Sequence, residues 1–179
     1  MRKIKIFVAS SKELEEERKM IAALANSLNT ALEAQDIQVI AVEWENLDAS
    51  MGLEHKQEEY NTKIRECEMC VVLYATSFGV YTKEEFDVAH SELIKGNNPQ
   101  KLYVYFKDGV GEPTPELKEF RDSFPINYGH FFTQFNNVDT LKAHFLLQFI
   151  NYQNFAHGES KAVELRDGKV LVGGKEYVS

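Results

Sequence analysis

The sequence is short of several features that would fix its class at once. Among 179 residues there are only two cysteines, Cys67 and Cys70. Two thiols make no disulfide framework, and a chain of this length needs none, since it can bury roughly 70% of its unfolded surface. Their C-x-x-C spacing is that of a redox dithiol, but such a pair opens a helix that follows a strand. Here the order is reversed: Cys67 ends a helical segment and Cys70 opens a strand, so two buried, reduced thiols are expected. No apolar run approaches the ~20 residues that span a bilayer. The basic start, Met1 to Ile6, turns at once into a strand pattern and lacks a signal peptide's apolar region and cleavage site, so a cytoplasmic protein is expected. Positive charge is scarce too: 20 Lys and Arg against 28 Asp and Glu leave a net charge of -8. That argues against binding to nucleic-acid backbones or anionic lipid. It does not exclude a small anion held by the amides of a helix N-terminus. The histidines, His55, His90, His130, His144 and His157, show no ligand spacing, and the cysteines have no further ligands nearby, so no metal site is expected.

What is present is the composition of one globular domain, 44% apolar and 27% charged, which excludes a disordered chain. Lys3 to Ala9 reads as a first strand, followed by Ser10-Ser11 and a helix from about Lys12 to Glu33. Its apolar stripe is Leu14, Ile21, Leu24, Leu28 and Leu32. Ser10 and Glu13 have the spacing of a capping box. Ile37 to Val42 predicts a second strand, Trp44 to Gly52 a loop, and His55 to Glu68 a second helix. Met69 to Tyr74 is a continuous apolar strand, as expected of one buried on both faces. A loop from Ala75 to Tyr81, a helix from Lys83 to Lys95 and a strand from Leu102 to Phe106 follow. Thr114-Pro115 caps a short helix through about Arg121. A short fifth strand falls within Tyr128 to Phe135, and a last helix runs from Asp139 to about Tyr152. This alternation predicts an α/β three-layer sandwich: a central parallel sheet of four to five strands with helices on both faces. Ligands of such sheets bind at the carboxyl ends of the strands, where Ala9 to Lys12, Glu43 to Gly52 and Ala75 to Glu85 would meet.

The tail reads differently. Asp167-Gly168 between two alternating stretches is a hairpin signal, and Gly173-Gly174 offers a second turn. The expected organisation is an α/β domain over 1–155, then a linker and β-hairpin over 156–179. The chain is expected to be the N-terminal piece of a longer protein.

Two segments carry candidate chemistry. Ser10 and Ser11 suit plain helix capping, or a phosphate or ribose hydroxyl at a helix N-terminus; the two roles are compatible. Glu85 falls in the first turn of the third helix. It can serve as the far end of a capping box, Thr82-x-x-Glu85, or as a carboxylate facing a sugar, where it would stabilise or attack an oxocarbenium-like centre. Trp44, Tyr60, Tyr74, Phe78 and Tyr81 supply aromatic surface for a base or nicotinamide ring, or simply core. The acidic run Glu15-Glu16-Glu17 reads as solvated surface.

The opening Ile6-Phe7-Val8-Ala9-Ser10-Ser11, then Leu14, Glu17 and Arg18, resembles that of bacterial Toll/interleukin-1 receptor (TIR)-like domains. It is equally similar to a related uncharacterised group of N-terminal domains with a Ser-Ser…Leu…Glu-Arg opening. Trp44-Glu45, Gly52, Ile64 and Cys70 to Tyr74 follow in TIR order. The segment Tyr81 to His90 is similar to the family pattern Trp-Cys-x-x-Glu-Leu-x-x-Ala/Ser, with Tyr81 and Thr82 in place of its tryptophan and cysteine. The resemblance covers about residues 3 to 152. Nucleoside 2-deoxyribosyltransferases share the fold and a Glu-x-x-x-Ala helix start, which Glu85 and Ala89 also fit. The resemblance implies a flavodoxin-like, TIR-like fold and an NAD glycohydrolase with Glu85 catalytic. Ala9, Ser10 and Ser11 would bind ribose or phosphate, and Trp44, Phe78 and Tyr81 would wall the base. NAD would be substrate rather than cofactor. Self-association through the domain, and a place as N-terminal effector of a bacterial defence or signalling protein, are also implied. Deoxyribosyl transfer between bases and a non-catalytic interaction module are the alternatives.

Overall fold

The computed structural model describes residues 1–43, 53–79, 82–157, 163–166, 169–172 and 175–178, without the side chains of residues 43, 53–57 and 153 onward. Five strands, β1 (Arg2–Ser10), β2 (Ile37–Glu43), β3 (Met69–Tyr74), β4 (Lys101–Lys107) and β5 (Thr133–Phe135), form one sheet of order β2-β1-β3-β4-β5. Every pairing in it is parallel. Among the described residues five α-helices connect and follow them: α1 (Glu15–Leu32), α2 (Leu53–Glu66), α3 (Thr82–Ile94), α4 (Pro115–Tyr128) and α5 (Val138–His157). The expected three-layer α/β sandwich with five parallel strands is the architecture found.

The layers follow from side-chain alternation along the central strands. Ile4, Ile6 and Val8 of β1 and Met69, Val71 and Leu73 of β3 pack with the α1 stripe and with Leu141, Phe145 and Phe149 of α5. Their neighbours in sequence, Phe7, Ala9, Cys70, Val72 and Tyr74, pack on the other face with Ile64, Phe86, Ala89, Phe120 and Phe124 of α2, α3 and α4. Both faces of β3 are covered, which is why it reads as an unbroken apolar run. Cys67 and Cys70 are free and buried, and burial lifts the Cys67 thiol to about 12, so neither is a ready thiolate.

Three local expectations need correction. The first helix does not start at Lys12: a 3-10 turn, Lys12–Leu14, precedes α1. The fourth helix does not stop near Arg121. It continues through Pro125 to Tyr128 and closes on Gly129 in the left-handed conformation, whose amide donates to the Pro125 carbonyl. Phe120, Phe124 and Tyr128 recur every four residues and stack on one another, and that aromatic face outweighs the helix-breaking proline. Glu17 is not solvated. It is 1% exposed, and its carboxylate accepts from Lys107 Nζ at the end of β4. In the tail, β6 (Val163–Arg166), β7 (Lys169–Val172) and β8 (Lys175–Val178) pair antiparallel with one another in a separate sheet. The two Gly-containing turns lie outside the described residues.

The Glu17–Lys107 pair ties α1 to β4 from inside the fold. Removing one partner leaves a buried charge alone, which typically costs 3–5 kcal/mol, far more than breaking a surface pair. Lys107→Met is therefore expected to lose roughly 3 kcal/mol in urea denaturation, and the double variant Glu17→Leu, Lys107→Met to recover at least half. A single variant within 0.5 kcal/mol of the parent would show that the pair does not brace the fold.

Candidate active site at the carboxyl ends of the central strands

In this strand order the connections from neighbouring strands β1 and β3 leave for opposite faces of the sheet, α1 on one and α3 on the other. A crevice is forced between them at the carboxyl ends, the topological switch point of a doubly wound sheet. Ala9 and Ser10 end β1 beside Val72 and Leu73 of β3. The two loops are tied together across this gap by Glu13. Its Oε1 accepts from the Thr76 amide at 3.0 Å, the Ser77 amide at 3.4 Å and Ser11 Oγ at 3.1 Å, and its Oε2 accepts from Thr76 Oγ1 at 2.7 Å. Burial pushes the Glu13 carboxyl up, but the bonds from Thr76, Ser11 and Ser77 outweigh it and hold the group below its ordinary range. The Ser10–Glu13 capping box is thus not formed. Ser10 Oγ instead accepts from the guanidinium of Arg18, itself fully buried, and the Ser11 side chain makes no cap bond.

Gly79 brings the loops closer still. A β-carbon there would lie 2.3 Å from Thr82 Oγ1 and 3.0 Å from Ser11 Cα, so only glycine allows this approach. The α3 N-terminus is thereby pressed against the end of β1, and Glu85 follows one turn later.

Glu85 is 3% exposed. The amide it would meet as a cap, that of Thr82, donates to the Gly79 carbonyl at 3.2 Å. Among the described residues the Glu85 carboxylate has no hydrogen-bond partner. The capping box is corrected here too: Glu85 is a buried acid held by packing rather than a helix cap. Burial first, and then the charge of Glu84, raise its pKa to about 7, while the Arg18 guanidinium pulls the other way. Its surroundings are equally short of partners. Glu85 contributes, after burial, to raising both the Cys70 thiol and the Tyr74 phenol, which places all three in one low-dielectric region. The Tyr74 hydroxyl is itself buried without a hydrogen bond.

Of the residues expected to form the site, Ala9, Ser10, Ser11 and Glu85 are brought to this crevice. Phe78 stands half-buried at its α4 side, with its ring edge-on to Tyr74 at 5.5 Å and Phe120 at 5.4 Å. Trp44 and Tyr81, with the loop to Gly52, lie outside the described residues. Arg18, Glu13 and Thr76 also stand at this crevice without being legible as site residues in the sequence. The Glu13 pattern was visible but pointed to the commoner cap. Among the described residues no group of three His, Cys, Asp or Glu side chains is placed to hold a metal ion, and no helix is long and apolar enough to cross a membrane.

These features define a doubly wound domain of flavodoxin-like strand order with a buried carboxyl at its switch point that has no hydrogen bond to the described residues. The chain belongs to the family described as Domain of unknown function (DUF4062), which matches residues 5–151, from within β1 into α5. No curated protein matches the chain.

Glu85 gives the site a pH signature. Its ordinary value is 4.5 and its folded value about 7, so the folded state binds the extra proton between these limits. Stability then falls as pH rises from about 4.5 to 7, by about 3 kcal/mol in all, and the deficit is complete above 7. Glu85→Gln removes the ionisation. The variant should melt several degrees above the parent at pH 8 and show little difference at pH 4.5. A variant less stable than the parent at pH 8 would mean that the carboxylate has a partner.

Proposed function

We propose that this domain cleaves the N-glycosidic bond of NAD, with Glu85 as its catalytic carboxylate. The observation that carries the reading is the position and state of Glu85. It is a desolvated acid with no hydrogen bond among the described residues, at the switch point of a doubly wound sheet, where nucleotide ligands of such folds bind. A carboxylate not engaged in hydrogen bonds keeps its lone pairs and much of its charge to offer to a cation that develops beside it. In the reaction the C1′–N bond to nicotinamide breaks and its electron pair stays on the nitrogen, so nicotinamide leaves neutral. The ribosyl centre becomes oxocarbenium-like and is stabilised by Glu85. Water adds at C1′ and loses a proton, giving ADP-ribose.

The surroundings refine the roles. The first turns following β1 already carry Glu13, Glu15, Glu16 and Glu17, so a phosphate is disfavoured there and a ribose hydroxyl suits Ala9, Ser10 and Ser11 better. Arg18 is the counter-charge that keeps Glu85 ionisable near neutrality. Phe78, with Trp44 and Tyr81, walls the base. Glu85 is closed off at 3% exposure, which favours activation by assembly, with self-association of the domain opening the crevice. The same reading places the domain in the cytoplasm as an effector of a larger defence or signalling protein.

The test is incubation of the protein with NAD, and separately with deoxynucleosides, over a wide range of protein concentration. Nicotinamide release is expected from NAD, rising with pH through about 7 as Glu85 ionises. Glu85→Gln should lower it at least ~100-fold in a variant that stays folded. Equal rates for parent and variant would end the catalytic assignment. Base exchange without NAD cleavage would point to deoxyribosyl transfer. Inactivity at every concentration would leave an interaction module.

A further inference from the structure

A second cavity lies at the other end of α3, by the amino ends of the strands. It encloses about 350 Å³ between the last turns of α3 and α4, a size typical of small-molecule sites. Its inner wall is a set of fixed rings. The Phe86 and His90 planes lie within 12° of each other with centroids 5.7 Å apart, and Tyr128 stands edge-on to both, at 5.1 and 4.9 Å. Leu102 and Val104 of β4 form the floor. At the rim Phe131 is 92% exposed, an aromatic ring left in water beside the cavity. Burying such a ring is favourable, so the site has apolar surface ready for a partner.

The charges around it run against those of the chain. Acidic residues outnumber basic ones 28 to 20 overall, yet no acidic side chain lines the cavity, while Lys101, His90 and His130 do. His130 is near enough for its charge to act on His90. Flat ring faces select a planar aromatic body, and basic groups at the mouth select an anion.

We propose that this cavity binds a small planar aromatic anion. Its ring system would lie between Phe131 and the His90–Tyr128 wall, and its carboxylate or sulfonate would meet Lys101 and His130. The site is separate from the Glu85 crevice and independent of the activity proposed there.

The probe is 1-naphthoate, with uncharged 1-naphthylmethanol as control, followed by amide chemical shifts of the full chain. Naphthoate should give saturable shifts centred on His90, Leu102 and Val104 with a Kd below about 1 mM, and the alcohol should bind at least ~10-fold more weakly. The rim variant Lys101→Ala, His130→Ala alters two exposed residues and leaves the core intact. It should lose at least ~10-fold for naphthoate and less than about twofold for the alcohol. Leu93→Trp, which fills the cavity from half-buried Leu93, should abolish both. Absence of saturable shifts, equal binding of the alcohol, or naphthoate binding unchanged in either variant overturns the proposal. So do shifts of the same amides with protein concentration alone, which would mean that a second copy covers this face.

Discussion

The structure depends on one topological constraint: β1 and β3 are neighbours whose connections leave for opposite faces. Parallel strands joined by right-handed crossovers must part somewhere, and the parting opens a gap that no backbone fills. What closes that gap here is polar. Glu13 accepts four hydrogen bonds from both loops, and Gly79 sits where a β-carbon would crowd Ser11 and Thr82. The loops are therefore fixed relative to each other by groups on the crevice rim, and Glu85 is presented behind them on a helix rather than on a loop. A carboxyl held in this way keeps its position without any bond of its own.

That arrangement is costly for stability, which is what separates Glu85 from the other acids. Glu13 gains hydrogen bonds, and Glu17 gains Lys107. Both repay their burial. Glu85 has no hydrogen bond among the described residues, the Tyr74 phenol and Cys70 thiol near it offer none, and the charge of Arg18 only partly offsets its burial. A group that costs stability while neighbours of the same type are well paired is the usual mark of a functional site.

Much of the fold was legible because its signals are strong and local. The continuous apolar run Met69 to Tyr74 could only be an interior strand, and the Leu14 to Leu32 stripe could only be an amphipathic helix. The end of α4 was not legible, because the Phe120–Phe124–Tyr128 periodicity competes with Pro125 and only the stacked rings decide the outcome. In the site, the segments that meet were legible from the alternation of strands and helices. The partners were not. Ser10 with Glu13, and Thr82 with Glu85, carry the spacing of capping boxes, and neither box forms: Arg18 takes Ser10 and Thr76 takes Glu13, while the Thr82 amide turns to the Gly79 carbonyl. Spacing along the chain reports local options only. Which option is taken depends on residues more than 60 positions away, as with Glu13 and Thr76.

The central claim is that Glu85 is a desolvated carboxyl at the switch point with no hydrogen bond to the described residues. Titration of its side-chain carboxyl carbon by ¹³C NMR, assigned by comparison with Glu85→Gln, reads this directly. The account predicts a midpoint near 7, well above the ordinary value of 4.5. A midpoint at or below 4.5 would contradict it, since such a value requires either solvent around the carboxylate or a bonded partner within the fold.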